Sequence, residues 1–121
     1  MNSIQVFHKA ELKKGNVTPG ITRDKAVESE TILFGRTTIH AGAKSGWHHH
    51  GKRDLYGFLV SGKLVFECKD FPPVEISTGD FFDIPGGLVH RDVNPDPVTD
   101  AVVVNLIIGE GPPVINVEAK P

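Results

Sequence analysis

The sequence predicts an all-β domain, and two observations carry that expectation. Val, Ile and Thr total 30 of the 121 residues, whereas Ala and Leu total 13. Branched side chains are stiff at χ1 and fit a pleated sheet better than a helix. Thirteen glycines and nine prolines also punctuate the chain every several residues. Many short strands separated by turns read as a sandwich or barrel.

The elements follow in order. Ile4 to Phe7 is a short apolar start that reads as a strand, and His8 to Gly20 is polar. Thr22 to Ser29 is charged and lacks a sustained apolar stripe, so at most a helical turn is expected there. Thr31 to Phe34 and Arg36 to His40 are strand candidates, with a turn at Gly42 to Gly46. Leu55 to Val60, Ser61-Gly62 and Lys63 to Cys68 read as two strands about a tight turn. Phe71-Pro-Pro interrupts the sheet, because proline removes a ladder donor. Val74 to Ile76, Phe81 to Ile84 and Leu88 to Val93 are short strands, the last ended by Asn94-Pro-Asp-Pro97. Ala101 to Ile108 is the longest branched run and the expected most buried strand. The chain is therefore expected to form a single domain over 1–121, with an arm at 1–30, a barrel core at 31–108 and an extended tail at 109–121.

Charge and composition exclude several classes of function. Thirteen Lys plus Arg against fifteen Asp plus Glu give a net charge of −2, which offers no basic field for nucleic acid or an anionic membrane. No apolar run approaches the roughly 20 residues of a membrane helix. The N-terminus lacks an apolar segment of signal-peptide length, and the one cysteine, Cys68, makes no internal disulfide or Cys-based zinc site. A cytoplasmic address is the expectation.

Four of the six histidines bear on function. In a strand His48 and His50 point to one side and His49 to the other. Two imidazoles on one face are natural ligands for zinc, iron, nickel or copper, and His90, after the turn Pro85-Gly-Gly87, supplies a third. On spacing alone the run is equally compatible with a solvated turn, and His90 with a core imidazole.

Gly42-Ala-Lys-Ser-Gly-Trp-His-His-His50 fits the G-x5-H-x-H opening of the first cupin motif. Residues Gly79 to Asn94 fit the second, G-x5-P-x-G-x2-H-x3-N, at every specified position, and Gly62 matches the glycine that closes the first. The sequence thus resembles a small single-domain cupin over about residues 31–108. The resemblance implies a double-stranded β-helix, a jelly-roll barrel, with a metal held inside by His48, His50 and His90. The family's glutamate is missing: counting back from Gly62 lands on Leu55. Asp54, one residue earlier, would reach the ion only through a bulge before Gly62, for which Gly57 is a candidate.

Three neutral imidazoles leave a divalent ion its full charge, which favours a small anionic chelating substrate. Three-histidine cupins include ferrous dioxygenases, so one divalent transition metal is expected: Fe(II) first, with Zn, Ni or Mn as alternatives. The expected function is dioxygenase-type oxidation of such a substrate. A metal-dependent isomerase or lyase acting on a sugar acid or carbonyl compound is the alternative, or a small-ligand or metal-binding cupin without turnover. Asp92, two residues after His90, either orients a ligand or moves a proton, or else bonds the nearby turn. Arg36 either holds a substrate carboxylate or is an exposed cation. Small cupins pair as homodimers, and that is expected here too, with Ile4 to Phe7 as a contributing edge. The phenylalanines 58, 66, 81 and 82 are assigned to core or dimer packing.

Overall fold

The computed structural model describes residues 3–118, which form eleven strands and a single 3-10 turn, Lys9–Glu11. The strands are β1 (Lys13–Lys14), β2 (Ile21–Glu28), β3 (Ile32–Ile39), β4 (His48–His49), β5 (Asp54–Ser61) and β6 (Lys63–Cys68). They continue as β7 (Val74–Ser77), β8 (Phe81–Ile84), β9 (His90–Val93), β10 (Ala101–Ile108) and β11 (Ile115–Asn116). Six of them make an antiparallel sheet in the order β1-β2-β3-β10-β5-β8, and five make a second in the order β11-β4-β9-β6-β7.

The core lies between the sheets, because alternate residues of each strand turn inward. Ile39, Leu55, Leu59, Val103 and Ile107 come from the larger sheet, and Leu64, Phe66 and Ile76 from the smaller. Burying apolar side chains on both inner faces is the main stabilising term. Asn94 is buried at the end of β9 and satisfies backbone that the sheet ladders leave open. Its Nδ2 donates to the carbonyls of Ile39 and Thr99, and its Oδ1 accepts from Asp96 N–H.

Four expectations change. The charged segment from Thr22 is a strand, not a helical turn: β2 pairs with β3 along its length. Ile21 belongs to the core, so the barrel begins before residue 31. Ile4 to Phe7 forms no strand, and its apolar side chains are exposed. The two candidates on either side of Gly35 are one strand, β3, because Gly35 lets β2 approach. A Cβ there would lie 2.2 Å from the carbonyl oxygen of Asp24.

A further change concerns β5 and β6, which are not a hairpin. They belong to different sheets, and Gly62 at φ 89° carries the chain across. The tail is extended only in part: Ile115–Asn116 pairs with β4, and residues 119–121 of the expected tail lie outside the described residues.

Candidate metal centre

The site forms where β4, β9 and the tail meet. β4 stands opposite β9 in a register that places His48 against His90. The loop before β4 is tied down because Ser45 N–H donates to Asp92 O, and Asp92 N–H donates to Ser45 Oγ. His48 and His50 turn inward, and His49 turns away to accept a hydrogen bond from Gly51 N–H. The three inward rings lie with centroids 4.4–5.3 Å apart, and one ligand atom from each falls within 4.8 Å of the others.

The hydrogen bonds settle which nitrogen faces the centre. Each Nδ1 donates to a backbone carbonyl: His48 to Gly46 at 2.9 Å, His50 to Pro113 at 2.8 Å and His90 to Leu88 at 2.8 Å. A carbonyl only accepts, so Nδ1 carries a proton and Nε2 is the nitrogen left to offer a lone pair to an ion. The Nε2 atoms of His50 and His90 are buried without a partner. Burial, the largest cause, pushes His50 down to about 4 and moves His90 in the same direction. Convergent imidazoles whose Nδ1–H groups are committed to backbone carbonyls are a donor set that suits a divalent transition metal.

No carboxylate joins this ligand group among the described residues. Leu55 points inward and is buried, whereas Asp54 turns outward and accepts from Gly86 N–H at 2.9 Å. A bulge does lie between Asp54 and Gly62, but at Val60 rather than Gly57. Ser61 and Leu59 face the consecutive residues Val102 and Val103. The bulge does not bring Asp54 inward: Leu55 alternates with the buried Gly57 and Leu59 and so takes the inner face. Gly57 has another use, since a Cβ there would meet the Phe82 ring at 2.2 Å.

The imidazoles open into a cavity of about 140 Å³ walled by Leu55, Phe66, Phe82 and Ile84. Asp92 borders it on the histidine side, with Oδ1 buried, unpartnered and 3.7 Å from His90 Nε2. Arg36 also borders it, but its Nη2 donates to Asp24 Oδ2 at 3.2 Å. His40, just past the end of β3, bonds Thr22 and Asp100 instead.

Sequence reasoning missed Arg23 and Asn105, which also line the cavity. The signal for Arg23 was its alternation with Ile21 within an eight-residue segment, hidden by the charges around it. Among the aromatics, Phe66 and Phe82 pack within the barrel and Phe81 is exposed. Tyr56 faces outward, and Trp47 lies under the Arg91 guanidinium at 4.9 Å. Cys68 is half-buried, its thiol pushed up by desolvation and therefore poorly nucleophilic.

Two facing antiparallel sheets, the smaller of which brings three imidazoles together, define a β-barrel of the class that could hold a metal ion. The family described as Cupin domain matches residues 35–107, and the chain belongs to it. Among solved structures, KdgF from Halomonas sp. is similar at 25% identity and TM-score 0.73, over 88% of this chain and 96% of that one. The polyketide cyclase RemF from Streptomyces resistomycificus aligns at 17% identity and TM-score 0.79, over 98% and 88%. A predicted oxalate decarboxylase from Thermotoga maritima aligns at 20% and 0.73, over 86% and 98%. These last two likenesses concern the fold. No curated protein sequence matches the chain. No helix among the described residues is long and apolar enough to cross a membrane.

Proposed function

We propose that the protein is a metal-dependent enzyme acting on a small anionic carbonyl compound that chelates an ion held by His48, His50 and His90. In this reading Asp92 moves a proton at the substrate carbon. The observation that carries it is the juxtaposition of the unpartnered Nε2 atoms with the unpartnered, buried Oδ1 of Asp92. A divalent ion bound there would polarise a carbonyl and ease loss of the neighbouring proton. Asp92 lies close enough to His90 Nε2 to reach a molecule seated against the imidazoles. Leu55, Phe66, Phe82 and Ile84 give the cavity a hydrocarbon wall that excludes competing water. This is isomerase or lyase chemistry.

A dioxygenase-type oxidation of the same substrate class is the second reading, and a different observation favours it. Leu55 occupies the position of the family's acid, so the site keeps room for both substrate and dioxygen. The experiment that tests the proposal is deuterium exchange in D2O, without air, using metal-loaded protein and a panel of 2-oxo acids and β-diketones. Catalysed exchange is expected, and Asp92→Asn should lower it by about 10²- to 10⁴-fold while the metal is retained. Oxygen consumption in air without exchange would favour the oxidative reading. Neither activity across the panel would overturn both.

A further inference from the structure

Three cations border the cavity: Arg23, Lys25 and Arg36. Two are already neutralised. Lys25 Nζ lies 3.0 Å from Glu28 Oε1, and Arg36 Nη2 lies 3.2 Å from Asp24 Oδ2. Arg23 forms no ion pair among the described residues. Its register explains the difference. Arg23 stands against Thr37, and Thr37 against the core residue Val103, so this row faces inward. Arg36, one position along, is in register with Asp24 and Val104 in the neighbouring row.

Nη1 of Arg23 donates to Thr18 Oγ1 at 2.8 Å and to Asn16 O at 3.3 Å, which fixes the side chain from behind. Nε and Nη2 have no partner among the described residues. The group is half-buried, and desolvation pushes its pKa down, against the pull of the Asp92 carboxylate. Beside it, Thr37 Oγ1 accepts from Asn105 Nδ2 at 3.1 Å, which leaves the hydroxyl proton to give. A fork of N–H groups without a protein partner, next to a free hydroxyl donor, suits a carboxylate.

We infer that Arg23, assisted by Thr37, anchors a second carboxylate of the substrate, away from the carboxylate and carbonyl that face the three histidines, so that the site selects two-ended anions. This deepens the metal-chelation reading and rests on it. A substrate with one chelating end and one distal carboxylate satisfies both the histidine cluster and the unpaired guanidinium. A monoanion satisfies only the first and leaves the half-buried guanidinium without a directly paired carboxylate. Arg23 acts here as a specificity-determining residue.

The test uses the full chain loaded with Co(II), whose visible spectrum reports chelation, and titrates it with paired probes. Each pair joins a 2-oxo diacid of four to six carbons with the 2-oxo monoacid of equal length, for example 2-oxoglutarate with 2-oxovalerate. The wild type should bind at least one diacid about ten- to a hundredfold more tightly than its partner, the range expected of a hydrogen-bonded charge pair. Arg23→Gln should bring that ratio to about one and leave the monoacid Kd unchanged. Arg23→Lys keeps the charge without the fork, safeguards the comparison if Arg23→Gln folds poorly, and should lower the ratio. Arg36→Gln should leave it unchanged.

Equal binding of every pair by the wild type, or a ratio that survives loss of the Arg23 guanidinium, would overturn the inference with the chelation reading intact. No spectral response to any 2-oxo acid would overturn the chelation reading, and this inference with it.

Discussion

Three imidazoles with fixed tautomers do most of the chemical definition of this protein. Each Nδ1–H is held by a backbone carbonyl, so the chain prepares its donors without spending a second carboxylate on orienting them. The ligand spacing was readable from the sequence because strand alternation applies to any two residues separated by one. The position of Leu55 was readable for the same reason, once counted from Gly62. Pro113 as the acceptor for His50, and Arg23 as a cavity residue, were not readable, because both depend on long-range pairing. Leu55 sits on the inner face beside the ligand group, so Leu55→Glu should add a fourth donor and a negative charge. We expect metal affinity to rise at least about tenfold in competition with a chromophoric chelator. An unchanged affinity would show that position 55 does not reach the ion.

Strands with clean alternation, such as β10, match the sequence reading closely, whereas β2 departs from it. Arg23 and Lys25 put charge where a core strand normally places hydrocarbon, and they are tolerated because they line a cavity rather than packed core. The bulge at Val60 and the crossing at Gly62 also escaped local reasoning. A Ser-Gly pair between strands looks like a hairpin turn, but only three-dimensional pairing reveals that the strands part company. Gly62 is nevertheless an exacting position, combining a positive φ with close backbone neighbours. At φ 89° a side chain is strained, and a Cβ would lie 2.5 Å from Asp100 O and 2.8 Å from Ala101 Cα, both backbone atoms that cannot step aside. Gly62→Ala should therefore cost about 2–4 kcal/mol, read as a lower urea midpoint with an unchanged slope. A midpoint within error of the wild type would contradict this account of the crossing.

The molecule as a whole keeps buried, neutral imidazoles inside a β-barrel, and this links its stability to pH. With His50 pushed down to about 4 from an ordinary value near 6.5, the unfolded chain binds a proton there that the folded chain refuses throughout that window. Stability of the metal-free protein is therefore unaffected above about pH 6.5 and falls as pH drops toward 4. The loss is about 3 kcal/mol from His50, and His90 acts in the same direction. Asp24, held down first by its hydrogen bond from Lys14, is a carboxylate whose own loss begins only below its ordinary 3.8, so the two effects separate. Urea unfolding with a chelator present, at pH 7 and pH 4.5, reads this difference, and equal stabilities would contradict it. The central claim, that three histidines from two strands and a following loop form one metal centre, is tested most directly by elemental analysis after exhaustive dialysis. The account predicts one transition-metal ion per wild-type chain and essentially none in His90→Ala, whose β-sheet circular dichroism persists. Stoichiometric metal retained by His90→Ala, or none bound by the wild type under metal-replete conditions, would contradict it.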